Sequence, residues 1–311
     1  MRKAIAVAAL REQRTATISL LASLPDAAWQ HAVYTSAGDA AGVHGLAAHL
    51  VVADEALLVS RWLSGREGAR RLASVIGWHD GGVAAWANAS PGEVLAALAR
   101  HGDRVAALVR ATPSGAVNVA ARGTQGRRQF LLQALYRRVF HEFAHSDDMA
   151  VAAGVVDDLK DPSRPVAAAL AFTVLQRLPV QVLPAVAADA GVVRLVVDPA
   201  AADDRPPQLR HAAVAEPLPP LSAAPPVTCG RQTWSFDFAR KHYGPRVSAR
   251  PDAVVVAAAG PLALLHAGRR AWRELAPAQL SITGDHELAA LLLDAVARPP
   301  PAGSCVVFSA A

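Results

Sequence analysis

At 311 residues the chain is twice the length of a common ~150-residue domain, and its 52% hydrophobic and 18% charged residues place it among folded rather than disordered proteins. A net charge of +5 and a pI near 9.7 do not amount to a nucleic-acid footprint. The positive residues are nearly all arginine, with lysine only at Lys3, Lys160 and Lys241, and they are spread among acidic ones with no basic stripe and no interleaved aromatics.

The opening, Met1 to Arg14, reads as the beginning of a first helix rather than a leader, because charge returns at Arg11 and no small-residue cleavage site follows the short apolar run. Apolar residues recur at helical spacing from Arg2 to about Leu24, where Pro25-Asp26 stops the segment. A polar connection through Gly38 and Gly42 leads into a second helical pattern, Val43 to Leu58, with His49 in its middle. Ser90-Pro91-Gly92-Glu93 places serine at an N-cap, proline at the first helical position and glutamate three residues after the cap, so a third helix should run to about Arg110. After a glycine-rich loop, Thr112 to Gly126, a fourth helix is expected from Arg127 to Ala153, closed by Gly154. Four helices over ~150 residues fit a bundle, in which interior sites are built from side chains on facing helices.

The second half changes character. Pro165 to Leu183 is mostly apolar and helical in composition, and the β-branched runs Val192 to Val197 and Thr233 to Phe238 read as strands of an α+β domain. Between them, the prolines from Pro217 to Pro226 favour an extended, exposed loop. The best uninterrupted apolar stretch, Ala253 to Gly268, is broken by Gly260, Pro261 and His266, so a soluble protein with no membrane association is expected. Cys229 and Cys305 stand far apart, in no C-x-x-C pair and with no identifiable histidine partner, which suits a reducing cytoplasm. Trp29, Trp62, Trp78 and Trp86 read as core anchors. Gly284-Asp285-His286-Glu287 reads as a turn into a helix capped by Asp285.

The chemistry concentrates on the fourth helix. His141 and His145, four residues apart, project from one face about 40° apart and about one turn along the axis, so two imidazoles can grip one ion. Asp148 and Ala134 share that face, with Arg137 and Arg138 at its edges. His44, five residues before His49, is displaced by about 140° around its helix and should stand apart.

Three segments carry a family resemblance: Leu21-Ala22-Ser23-Leu24-Pro25-Asp26-Ala27-Ala28-Trp29, Leu46-Ala47-Ala48-His49-Leu50, and Phe140-His141-Glu142-Phe143-Ala144-His145-Ser146-Asp147-Asp148-Met149 running to Ala153-Gly154. In order and spacing the chain resembles the DinB-like metal-dependent bundle proteins, and within them the mycothiol-dependent maleylpyruvate isomerase family. The resemblance implies one divalent metal held by His49, His141 and His145, with zinc the first expectation and nickel or iron the alternatives. Where the isomerase pattern often has glutamate, this chain has a third histidine, His141, as many broader DinB-like proteins do. The connection before His49 reads Ala37-Gly38-Asp39-Ala40-Ala41-Gly42 in place of the usual Pro-Gly-Trp signature.

A second resemblance, to the sterol-carrier-like α+β domain that follows the bundle in these isomerases, rests on Ala253 to Ala257, Leu262 to Arg270 and Leu280 to Asp285. It implies a two-domain chain, with a DinB-like four-helix bundle over residues 1–160 and a sterol-carrier-like α+β domain over 161–311. An arginine of the second domain would help to close the site, with Arg231, Arg269 and Arg270 as candidates. The implied activity is that of a mycothiol-using S-transferase or cis/trans isomerase acting on a small electrophile, cytoplasmic, and monomeric or homodimeric. Two other classes fit the same residues: a non-catalytic metal- or ligand-binding module, and a metal-dependent hydrolase that needs no thiol.

Overall fold

A computed structural model of the chain describes residues 3–34, 40–60, 82–112, 117–118, 129–155, 161–186, 191–198, 231–245 and 250–298. The first helix, α1 (Lys3–Ser23), stops ahead of Pro25, and a 3-10 turn, Asp26–Gln30, carries Trp29 into the core. A short hairpin then pairs β1 (Ala32–Tyr34) with β2 (Ala40–Gly42), so the expected open connection is partly strand. It feeds α2 (Val43–Ser60) directly.

The third helix, α3 (Pro91–Ala111), opens with the anticipated capping box. Ser90 Oγ accepts from the Glu93 backbone N–H at 3.3 Å, and the Glu93 carboxylate accepts from the Ser90 backbone N–H at 2.7 Å. That backbone hydrogen bond is the main reason the Glu93 carboxyl titrates below its ordinary value. The fourth helix, α4 (Leu131–Ala153), begins later than the expected Arg127, because Gln129–Phe130 (β4) pairs instead with Val117–Asn118 (β3). Its end is a left-handed glycine: Gly154 has φ +74°, and the next amide, Val155 N–H, donates to Ala150 O at 2.9 Å.

Both α1 and α2 pack on α3 and on α4, so each of these four helices has two neighbours among the other three. Fully buried alanines at Ala6, Ala9, Ala47, Ala48 and Ala97 let the backbones approach closely, while Leu21, Trp29, Leu46, Leu50, Val94, Leu98 and Met149 fill the space between. Each such leucine contributes about 2 kcal/mol by leaving water.

Contacts divide the chain into this unit, Lys3–Lys160, and a second, Asp161–Pro299. The second is α+β. It opens with α5 (Arg164–Ala185), followed by a five-stranded sheet in the order β7-β6-β5-β8-β9, built from β5 (Val192–Asp198), β6 (Gln232–Asp237), β7 (His242–Gly244), β8 (Ala253–Ala258) and β9 (Leu280–Gly284). The central pair β5 and β8 is parallel and the other pairings are antiparallel. Two further helices, α6 (Ala259–His266) and α7 (His286–Ala297), pack on each other, on α5 and on the sheet.

By length and composition α5 is the one described helix that could cross a membrane, and most of it is buried. Its C-terminal half is fastened by polar groups. Gln181 donates to the carbonyls of Ala295 and Val296 at 3.0 Å and to that of Arg298, closing the end of α7. The Lys241 ammonium donates to Leu183 O at 2.8 Å and Val186 O at 2.9 Å, which places a cation at the negative end of α5. Asp285 caps α7 as expected, accepting from Glu287 N and Leu288 N at 3.0 Å.

Candidate metal centre

Three imidazoles meet inside the helical unit. Position 49 lies in the middle of α2 and positions 141 and 145 lie one turn apart on α4, two helices that pack on each other. His141 Nε2 stands 3.0 Å from His49 Nε2 and 3.0 Å from His145 Nε2. One ligand atom from each ring lies within 4.8 Å of the others, and His141 and His145 are buried. The rings are mutually tilted, at 55°, 85° and 79°, so they converge edge-on rather than stacking.

The donor chemistry suits a cation. Each ring nitrogen carries either one in-plane hydrogen or one in-plane lone pair, so it makes one good hydrogen bond. His145 Nδ1 lies 3.0 Å from Asp148 Oδ2, and a neutral ring that donates there has its lone pair on Nε2. His141 Nε2 faces two ring nitrogens, each at 3.0 Å. A positive ion among the three lone pairs satisfies all at once, and nitrogens each bonded to a tetrahedral zinc stand about 3.3 Å apart. His49, His141 and His145 therefore form a set that could hold one divalent ion.

Under the histidines lies a buried charge network that the sequence reading did not anticipate, apart from placing Arg138 beside the ligand face. Arg14 on α1 donates to Glu142 on α4 at 2.7 and 2.9 Å and to Asp54 on α2 at 2.6 Å. Arg138 donates to Asp54 at 2.8 Å and pairs with Glu142 at 2.9 Å. Two guanidiniums face two carboxylates, so the network is neutral. Burial works against charge on Glu142, but Arg14 and Arg138 outweigh it and hold the carboxyl below its ordinary range. Burial likewise opposes the Arg14 charge and is overcome by Glu142 and Asp54, so that its pKa rises.

Spare donors reach backbone: Arg14 bonds Leu98 O on α3, and Arg138 bonds Leu50 O at 3.1 Å. Gly102 makes this approach possible, since a Cβ there would lie 3.1 Å from an Arg14 nitrogen and 3.3 Å from its Cγ. A smaller polar chain adjoins it. Thr17 Oγ1 and Ser146 Oγ are 2.9 Å apart, and Gln13 donates to both. The residue following each histidine is thereby tied down: Leu50 through its carbonyl, Glu142 through its carboxylate and Ser146 through its hydroxyl.

The signal for this network was present as charge in apolar surroundings. Asp54 follows Val51-Val52-Ala53, and Arg138 and Glu142 share one helix face at i,i+4. Other candidates fall elsewhere. His44 bonds Ala89 O at 2.8 Å and stays out of the cluster, and Trp29 is a core residue as expected. Arg231, Arg269 and Arg270 belong to the second unit, where Arg231 pairs with Asp198 at 2.8 Å and Arg269 donates to Ala267 O at 2.5 Å. Trp62, Trp78, Cys229, Cys305 and the proline-rich stretch Pro217 to Pro226 lie outside the described residues.

No family model matches the chain, and no curated protein does. Among solved structures, the crystal structure of the mycothiol-dependent maleylpyruvate isomerase is similar, at 13% identity, over 92% of this chain and 95% of that one, with a TM-score of 0.49. A histidine-to-alanine mutant of the mycothiol-dependent maleylpyruvate isomerase matches at 13% identity over the same shares of the two chains, with a TM-score of 0.48.

Proposed function

We propose that this chain is a metal-dependent enzyme that uses a low-molecular-weight thiol, mycothiol, either joining it through its sulfur to a small electrophile or isomerising that electrophile about a double bond. The observation that carries the reading is the meeting of three imidazole nitrogens from two helices at 3.0 Å contacts. His49, His141 and His145 would hold one divalent ion, zinc first. When bound, the ion would supply Lewis acidity, which lowers the pKa of a thiol that reaches it. The choice of thiol follows the sequence resemblance.

The protein's own residues supply order. Glu142 and Asp54, buried in the same unit, are each gripped by both Arg14 and Arg138, so their charge is compensated. Residues 1–160 then form the DinB-like bundle and 161–311 the sterol-carrier-like domain, in a soluble cytoplasmic protein.

The test is to incubate metal-loaded protein with mycothiol and a generic electrophile while following thiol loss and the mass of the product. Thiol-dependent conjugate or isomer, abolished in a folded His145→Ala variant, is the expected result. Turnover without thiol would make the protein a hydrolase, and tight metal binding with no turnover would make it a binding module.

A further inference from the structure

We infer that Asp148 is a positioning residue of this centre: its carboxylate fixes His145 in the Nδ1–H tautomer, so that the Nε2 lone pair is presented to the point His49 and His141 also face. The inference rests on the metal reading above and adds to it a residue that touches no ion.

Four observations support it. The Asp148 Oδ2 to His145 Nδ1 distance is 3.0 Å, and an ionised carboxylate can only accept, so the hydrogen resides on Nδ1. The pair spans one turn of α4 at i,i+3, and both side chains are about nine-tenths buried, at 11% and 8% exposure, so water competes little for the bond. The bonded nitrogen is the one remote from the cluster, since it is Nε2 of His145 that stands 3.0 Å from His141. Asp148 itself is absent from the ligand cluster, which leaves it orienting rather than ligating.

The chemical consequence is direct. A neutral histidine left to itself distributes its hydrogen between the two nitrogens, and any population carrying it on Nε2 cannot ligate through that atom. By holding the hydrogen on Nδ1, Asp148 removes the unproductive tautomer and makes Nε2 more basic.

The test uses the full chain with zinc alone as probe. Nitrogen-15 spectra of the metal-free protein report the His145 tautomer, and competition with a chromogenic chelator reports zinc affinity. Asp148→Ala should shift His145 toward the Nε2–H form and lower zinc affinity about ten- to hundredfold at unchanged helix content. Asp148→Leu, which fills the same space without an acceptor, must lose affinity alongside it and takes its place should the alanine variant not fold. Asp148→Asn, whose amide oxygen still accepts from Nδ1, should recover most of the loss, a rescue that a merely loosened helix does not give. Wild-type zinc binding with equal affinity in the folded Ala or Leu variants, or with the tautomer unchanged in them, overturns this inference alone. Failure of the wild type itself to bind zinc overturns the metal reading beneath it.

Discussion

Glu142 is the side chain on which the helical unit's polar interior turns. It is fully buried, accepts from Arg14 and pairs with Arg138, and lies next to His141 in sequence. Removing one member of a buried charge set strands its partners, which costs about 3–5 kcal/mol, far more than an exposed pair is worth. Glu142→Gln should therefore lower the stability of the unit by several kcal/mol, read as a reduced denaturant midpoint at unchanged slope. A change under about 1 kcal/mol would show that the two guanidiniums do not depend on it. The shared face of His141, His145 and Asp148 was legible because i,i+3 and i,i+4 spacings define a helix face from sequence alone, whereas His49, on another helix, entered only through the family resemblance. The pairing of Arg14 with Asp54 and Glu142 was not, because it depends on the axial register of three helices, which local spacing does not contain.

At the scale of elements, the sharpest boundary is the one with the most local chemistry. Ser90, Pro91 and Glu93 satisfy one another within a single turn, so the start of α3 at Pro91 follows from four consecutive residues. Ser90→Ala should cost about 1 kcal/mol by leaving the Glu93 amide without its cap, measured by chemical denaturation. A neutral outcome would mean that tertiary packing alone holds the helix start. Boundaries set by distant partners were less visible. Phe130 carries helical periodicity in sequence but is drawn into a strand opposite Val117, and the hairpin at Ala32–Tyr34 is too short to display alternation. Apolar runs such as Val192 to Val197 marked the strands, while the order of the sheet, with β5 and β8 parallel at its centre, depends on crossovers that no run of residues encodes.

For the whole molecule, acid should act on the second unit through His266. Burial, reinforced by the nearby Arg177 charge, pushes this imidazole from 6.5 down to about 3, against a hydrogen bond with Val296. The unfolded chain takes up the proton near pH 6.5 and the folded chain only near 3, so stability is intact above 6.5 and declines as pH falls through that window. The slope attributable to this group approaches 1.4 kcal/mol per pH unit, for a total of roughly 5 kcal/mol. Comparing wild type with His266→Gln, which cannot titrate, isolates the effect: the stability difference should shrink or reverse on acidification. Parallel pH profiles would contradict it.

The central claim is that the two packed helices, α2 and α4, deliver three imidazole nitrogens to one ion. X-ray absorption at the zinc edge on protein reconstituted with zinc and freed of excess metal tests it most directly, with the bound metal quantified on the same sample. One equivalent of zinc per chain, bound to three imidazole nitrogens at about 2.0–2.1 Å plus one exogenous ligand, and lost in His49→Ala, is the predicted result. Substoichiometric zinc, or a full equivalent that persists in His49→Ala with an unchanged spectrum, would contradict the account.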